Sequence, residues 1–186
     1  DSPSATASAT RAVFGGGRNH PSYYNKIEFV TIATTSNVTD FGDLTAARSG
    51  GQGCGNQTRG LFGGGKAPNE DTRIQFITIA STGNAVDFGD LTQNNSNQGG
   101  TASPTRGIFA GGADWPSMKD EIDFVTIATL GNAQDFGNLI QNQAHNNGAT
   151  SSTRAVYSTG AGAPTYIFMQ FITMPTLGDA TDFGDS

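Results

Sequence analysis

The segment Arg59-Gly-Leu-Phe-Gly-Gly-Gly65 decides the architecture, because close variants of it occur four times in the 186-residue chain. The variants are separated by 48, 47 and 48 residues and begin at Arg11, Arg59, Arg106 and Arg154. The tripeptide Asp-Phe-Gly recurs with nearly the same period, beginning at Asp40, Asp87, Asp135 and Asp182. Self-similarity at a fixed period of roughly 20–50 residues is the signature of stacked structural repeats. The sequence therefore predicts four similar units in a single domain, residues 1-186.

Each unit is predicted to consist of short β-strands. The apolar stretch after Arg59 ends in glycines, which indicates a strand that runs into a tight turn. In the middle stretch, Ile74 and Phe76 point to one side and Ile77 and Ile79 to the other, as in a strand covered on both faces. Asp-Phe-Gly-Asp-Leu-Thr is a third strand, and the Gly-, Ser-, Thr- and Asn-rich remainder has room for a short fourth. No copy shows a helical period with caps, so the predicted class is all-β.

The glycines that follow an apolar stretch, and the arginine that leads the next unit, resemble the kelch repeat, with Phe at the kelch Tyr and Trp positions. This resemblance implies a β-propeller of four kelch-like blades, with blades near residues 5-45, 46-92, 93-140 and 141-186. A β-solenoid fits less well, because its coils are usually much shorter. Three assemblies remain open: a four-bladed ring, an eight-bladed ring of two chains, or part of a longer array.

The repeat as a whole also resembles repeats in predicted virion and tail proteins of marine tailed phages. That likeness implies an extracellular, virion-bound protein. Its partners would then be surface polysaccharide or other virion proteins, with a homo-oligomer among the possible assemblies.

Composition and charge narrow the classes of partner. The formal net charge is -6, from 16 acidic and 10 basic residues, which disfavours nucleic acid. No apolar run approaches the roughly 18 residues of a membrane span, so no membrane insertion is predicted. Cys54 is the one cysteine, which excludes an intrachain disulfide and a cysteine-rich metal site. We expect it to be a small buried filler.

The repeated arginines and aspartates are expected to be structural. Each arginine is predicted to make a bidentate contact with an aspartate or with strand-end carbonyls, in its own unit or the next. If the charge is buried, replacing Arg59 by Ala should cost about 3–5 kcal/mol. The phenylalanines of Asp-Phe-Gly are expected in the core; they are Phe41, Phe88, Phe136 and Phe183.

No cofactor is predicted, although a ring of second acids (Asp43, Asp90 and Asp185) is compatible with Ca²⁺, which takes oxygen ligands. The alternative is a solvated turn that blunts a strand edge with charge. His20 and His145 have no recurring acid or nucleophile nearby, and no catalytic triad or zinc spacing is present. The chain is therefore predicted not to be an enzyme.

The loop after the glycines varies in length and sequence while the frame stays constant. It carries exposed rings that suit recognition of sugars or proteins, and the candidate ligand-binding residues are His20, Tyr23, Tyr24, Asn69, Trp115 and Tyr166. In the usual propeller order, this loop shares a face with the amide-rich loops at residues 93-98 and 141-147. The sequence thus favours a glycan- or protein-binding module. Ordinary solvated loops on a structural tail or capsid-decoration protein remain the alternative.

Overall fold

The computed structural model describes residues 1–162 and 168–185. This part of the chain contains β-strands and turns and no helix, so the all-β prediction is confirmed. Accordingly, no helix in it is long and apolar enough to cross a membrane. Its strands form four antiparallel sheets of four strands each and one two-stranded ribbon.

Sheet 1 contains β1 (Ser4–Ala7), β2 (Arg11–Gly15), β5 (Lys26–Thr31) and β6 (Thr39–Asp43). The ribbon between β2 and β5 contains β3 (Arg18–Asn19) and β4 (Ser22–Tyr23). Sheet 2 contains β7 (Gln52–Gly55), β8 (Arg59–Gly63), β9 (Asp71–Thr78) and β10 (Val86–Asn95). Sheet 3 contains β11 (Gly99–Ala102), β12 (Arg106–Asp114), β13 (Ser117–Thr126) and β14 (Gln134–Asn138). Sheet 4 contains β15 (Gly148–Thr150), β16 (Arg154–Ser158), β17 (Phe168–Thr173) and β18 (Thr181–Asp185).

Each sheet is a simple meander in which strands that follow one another in its sequence lie side by side. The short additional strand that was expected in the Gly-, Ser-, Thr- and Asn-rich stretch is present and comes first in each sheet. These first strands are β1, β7, β11 and β15. These first strands contact one another from sheet to sheet, β1 with β7, β7 with β11 and β11 with β15. Gly53 permits the first of these contacts, because a Cβ atom there would overlap the backbone of Ala5.

Three apolar cores join the four sheets in chain order. The core between sheets 1 and 2 contains Val13, Ile27, Phe41, Leu44, Phe62, Ile77, Ile79 and Ala85. The equivalent residues, shifted by one repeat, form the cores between sheets 2 and 3 and between sheets 3 and 4. Among the described residues no cluster joins sheet 4 to sheet 1, so each terminal sheet keeps one face uncovered.

This arrangement corrects one expectation about the core. Phe41, Phe88 and Phe136 are 2–3% exposed, but Phe183 is 47% exposed. The sequence pattern is the same at all four positions. Phe183 differs because the described chain has no further sheet to pack against it. Its side chain occupies the same repeat position as Phe41, but no neighbouring sheet covers it.

The repeated arginines join neighbouring sheets through backbone carbonyls. In the first three repeats the arginine Nη1 donates to a carbonyl oxygen 68 residues further on, with contacts from Arg11 to Ile79 (2.8 Å), Arg59 to Ile127 (2.8 Å) and Arg106 to Met174 (2.6 Å). Each guanidinium also lies over the middle phenylalanine of its own sheet, 4.4–4.8 Å from the ring centroid. The arginines are half-buried or exposed rather than fully buried.

The aspartates of Asp-Phe-Gly do not pair with these arginines in the described part of the chain. Asp40, Asp87, Asp135 and Asp182 are all exposed. Asp135 and Asp182 accept local hydrogen bonds from the amides of Gly137 (3.2 Å) and Gly184 (3.0 Å), as in an Asx turn. Of the two partners predicted for the arginines, the structure therefore shows the backbone carbonyls of the next sheet and not the aspartates.

Candidate functional site

The loops that lead into the first strands form a continuous backbone ladder. Ser2, Gly50, Asn97 and His145 occupy equivalent positions, and all four have left-handed backbone angles, with φ between 54° and 65°. The amide of each donates to the carbonyl of the one before it, from Gly50 to Ser2 (3.0 Å), Asn97 to Gly50 (2.7 Å) and His145 to Asn97 (2.7 Å). A left-handed conformation is uncommon for residues other than glycine. Its recurrence at four equivalent positions therefore indicates that these loops share one backbone conformation.

A pocket of about 200 Å³ lies beside this ladder. Arg18, Lys66 and Trp115 reach it from the variable loops of sheets 1, 2 and 3, and Asn97 and His145 reach it from the sheet-joining loops. The rings of Trp115 and His145 lie 6.4 Å apart at an interplanar angle of 42°. Trp115 is 43% exposed, so part of its surface is open to solvent at the pocket. The two kinds of loop therefore meet at one end of the molecule.

A second pocket of about 200 Å³ adjoins the first and shares Ser2, Gly50, Asn97 and His145 with it. Gln98 and Asn146 line this second pocket and use their amide nitrogens to bond Gly63 O (3.1 Å) and Ala110 O (3.2 Å). Gln98 Oε1 and Asn146 Oδ1 have no hydrogen-bond partner in the described chain. The surface thus combines a partly exposed tryptophan, two cationic side chains and the partly exposed amide of Asn97, whereas Gln98 and Asn146 are buried beneath it.

Of the five predicted ligand-binding residues that lie in the described part of the chain, the structure brings one into this site. Trp115 lines the pocket, whereas His20 and Asn69 are exposed elsewhere on their loops. Tyr23 is half-buried in β4, opposite Arg18, and Tyr24 lines a different groove on sheet 1. Tyr166 lies outside the described residues.

Four residues of the site were not singled out from the sequence as ligand-binding: Arg18, Lys66, Asn97 and His145. Arg18 and Lys66 open the variable loops of their repeats, and Asn97 and His145 lie in or beside the amide-rich stretches. Their shared position in the repeat was the signal that could have identified them. Lys66 also forms an ion pair with Glu70 at 3.4 Å, which fixes the ammonium group at the pocket edge.

Arg48 is a buried cation that the sequence did not reveal. It is 3% exposed, and its Nη1 donates to Gly64 O (2.7 Å) and Arg73 O (3.1 Å), while Nη2 lies 3.4 Å from Asp71 Oδ2. Burial lowers the pKa of the Arg48 guanidinium, and the charge of Asp71 opposes that shift. Because its donors are directed at backbone carbonyls, Arg48 holds the variable loop of sheet 2 in place.

Three other buried ionisable groups, Cys54, Tyr157 and Asp123, do not line the pocket. Burial raises the pKa of the Cys54 thiol to about 12, and burial also raises the pKa of the Tyr157 hydroxyl. Asp123 accepts hydrogen bonds from the amide and hydroxyl of Thr92 at 2.9 and 2.8 Å. Its pKa is raised, mainly by burial. These groups are enclosed and lie apart from the loop surface.

The second acids do not form a metal cluster in the part of the chain that is described. No group of three or more His, Cys, Asp or Glu residues with metal-binding geometry occurs within residues 1–162 and 168–185. Asp90 instead accepts a hydrogen bond from the hydroxyl of Thr72 at 2.8 Å.

Comparison of the chain with protein-family models and with curated proteins finds no match.

Proposed function

We propose that the protein is a non-enzymatic recognition module that binds an acidic surface polysaccharide through the Trp115 pocket. The observation that carries the proposal is the meeting of an exposed tryptophan, His145 and two cations, Arg18 and Lys66, in one pocket. Sugar rings stack on aromatic faces, and carboxylate or sulfate groups are bound by guanidinium and ammonium groups. The chain has only three lysines, which makes the placement of one beside Arg18 and Trp115 more informative.

The proposal also includes a β-propeller fold and an extracellular location on a virion or secreted particle. Four meander sheets that stack in chain order through their flat faces, with their first strands in contact, support a β-propeller whose blades are the four sheets. The resemblance of the repeats to those of phage virion and tail proteins supports an extracellular, particle-bound setting. There the loop end would face the host surface.

The test is binding of acidic and neutral bacterial polysaccharides of similar length, measured by titration calorimetry with calcium or with EDTA. We expect saturable binding of acidic polymers, weakened about 3–10-fold by Trp115→Ala, since aromatic contacts contribute roughly 0.5–1.5 kcal/mol. Tyr24→Ala is the matched control, because Tyr24 is a similarly exposed ring outside the pocket. Equal binding by both variants and the wild type would contradict the proposal, as would a preference for neutral polymers. Sensitivity to EDTA would draw Asp43 or Asp90 into the site.

A second candidate function is assembly of a particle by protein–protein contacts. The observation that favours it is separate from the pocket: each terminal sheet leaves an apolar face uncovered. In this role the stacked sheets would act as a rigid building block of a tail or capsid decoration.

A further inference from the structure

Sheet 1 exposes a face that its counterparts in the other sheets bury. The leading face, defined as Phe14, Val30, Ile32 and Val38, corresponds by repeat position to Phe62, Ile77, Ile79 and Ala85 of sheet 2. Ile32 is 54% exposed and Val38 52%, whereas Ile79 is 1% exposed and Ala85 7%. A groove of about 570 Å³ runs over the leading face between Phe14, Tyr24, Glu28 and Val38.

Sheet 4 leaves uncovered the face that each of the other three sheets packs against the next sheet in the chain. The trailing face, defined as Val156, Met169, Phe171 and Phe183, corresponds to Val13, Ile27, Phe29 and Phe41 of sheet 1. Val13 and Ile27 are fully buried, whereas Val156 and Met169 are only half-buried. Gly184 repeats the contrast, because a Cβ atom there would meet nothing within 4 Å, while one on Gly42 would lie 2.5 Å from Gly83 O.

The two uncovered faces are the two halves of the interface that the molecule already makes three times. In every internal core, trailing-type residues of one sheet pack on leading-type residues of the next. We propose that a second copy of this chain docks head to tail, with the trailing face of one molecule on the leading face of the other. The occupant is a second copy because each molecule carries both halves in the same repeat register.

The polar groups at the two ends are complementary in the same way. In the internal interfaces an arginine donates to a carbonyl of the next sheet, but Arg154 has no such acceptor in the described chain, and Ile32 O receives no arginine there. Docking would place the Arg154 guanidinium at Ile32 O of the second copy. That contact would repeat the one from Arg11 to Ile79 O at 2.8 Å.

Backbone groups extend the match. Between sheets 1 and 2, Gly83 N donates to Phe41 O (2.7 Å), Ala85 N donates to Asp43 O (2.8 Å), and Asp43 N donates to Asn84 Oδ1 (3.0 Å). The same three bonds recur between sheets 2 and 3 and between sheets 3 and 4. By repeat position, the groups left over at the ends are Ser36 N, Asn37 Oδ1 and Val38 N on sheet 1, and Phe183 O and both backbone groups of Asp185 on sheet 4. Each donor at one end has its acceptor at the other.

Such an interface is heterologous, because different surfaces of the two copies meet. Heterologous contacts form rings when the rotation closes and open chains when it does not. Two copies with both contacts made would give a closed set of eight sheets. The inference does not depend on the proposed sugar site, which lies on the loop end rather than on the terminal sheets.

Complementation between two variants tests the proposal. Phe14→Asp places a charge on the leading face and Phe183→Asp places one on the trailing face, and both side chains are exposed, so both variants should fold as the wild type does. Leu130→Asp is the matched control, since it makes the same change at a 59% exposed residue away from both terminal sheets. Sedimentation equilibrium would be measured over a concentration series, with melting curves to check folding.

We expect the wild type and Leu130→Asp to have at least twice the 19.2 kDa mass of one chain, and each face variant alone to be monomeric. An equimolar mixture of Phe14→Asp and Phe183→Asp should regain a species of two chains, because one intact leading face and one intact trailing face remain. A monomeric wild type at all concentrations would overturn the proposal. So would face variants that still assemble, or a mixture that stays monomeric beside an oligomeric wild type.

Discussion

Replacement of Arg59 by Ala tests how the sheets are held together. Arg59 Nη1 donates to Ile127 O at 2.8 Å, and the guanidinium lies 4.8 Å from the centroid of the Phe76 ring. A hydrogen bond to a charged group contributes about 1.5–3 kcal/mol, and a partly exposed cation–π contact adds about 0.5–1 kcal/mol. The expected loss is therefore about 2–4 kcal/mol. The lower part of this range lies below the cost expected for a fully buried charge, because Arg59 is only half-buried.

Arg154→Ala is the matched control. Arg154 lies over Phe171 at 4.4 Å in the same way but has no carbonyl partner on a following sheet among the described residues. Its loss should therefore cost only about 0.5–1 kcal/mol, the value of the ring contact. For a chain of this length each kcal/mol lowers Tm by about 2–4 °C. We expect Arg59→Ala to lower Tm by about 4–16 °C and Arg154→Ala by about 1–4 °C.

Both variants would be compared by thermal and urea unfolding at concentrations where sedimentation shows single chains, so that docking between copies does not contribute. Arg106→Ala serves as a repeat of Arg59→Ala, because Arg106 donates to Met174 O at 2.6 Å. Equal losses in Arg59→Ala and Arg154→Ala would refute the argument. They would mean that the carbonyl contact between sheets adds nothing to the free energy of unfolding.

Three further predictions rest on the cores between the sheets. Gly137→Ala should destabilise the chain by about 1–3 kcal/mol more than Gly184→Ala. Both glycines have positive φ, but only a Cβ atom at Gly137 would overlap a neighbour, at 2.6 Å from Gly178 O. Equal urea midpoints of the two variants would contradict this prediction. Asp123→Gln should gain stability relative to the wild type as the pH rises above about 4. Because the pKa of Asp123 is raised in the folded protein, the wild type loses stability as this carboxyl ionises. A stability difference that does not change with pH would refute the raised pKa. The Gln side chain already occupies this position as Gln75 and Gln170, where its oxygen accepts the equivalent amide. Cys54 should react with a disulfide reagent only as fast as the protein unfolds, because its thiol is buried and its pKa is raised to about 12; rapid labelling of the native protein would disprove its enclosure.

Much of the fold was predictable because the repeat places the same residue types at the same positions. The apolar character of both faces of residues 74–79 indicated a covered strand, and β9 is indeed packed between two cores, with Ile74 facing one and Ile77 the other. The first strand of each sheet was the element that the sequence indicated least clearly. Its Gly and Ala residues carry little β-propensity. Each of these strands is held by hydrogen bonds to the next strand of its own sheet and by close contact with the first strand of the neighbouring sheet.

The candidate site was predictable only in part. Trp115 stood out as the one tryptophan on a variable loop, and it lines the pocket. His20, Tyr23, Tyr24 and Asn69 lie on the corresponding loops of sheets 1 and 2 but do not line the pocket. His20 even has the same repeat position as Trp115, so the position within the repeat does not by itself decide which side chain lines the pocket. Arg18 and His145 come from the first and last sheets, far apart in the chain, and only the stacking of the sheets brings them together.

The sequence by itself determined the number of repeats, the all-β class, and which positions of each repeat are apolar, because these depend on local residue types and on their period. Tertiary structure alone decided which copies of those positions are buried. Phe41 and Phe183 occupy the same place in the repeat, yet one is enclosed and the other exposed, since burial depends on a neighbouring sheet. The partner of each arginine was decided in the same way, because the carbonyl that it contacts lies 68 residues away and belongs to the next sheet.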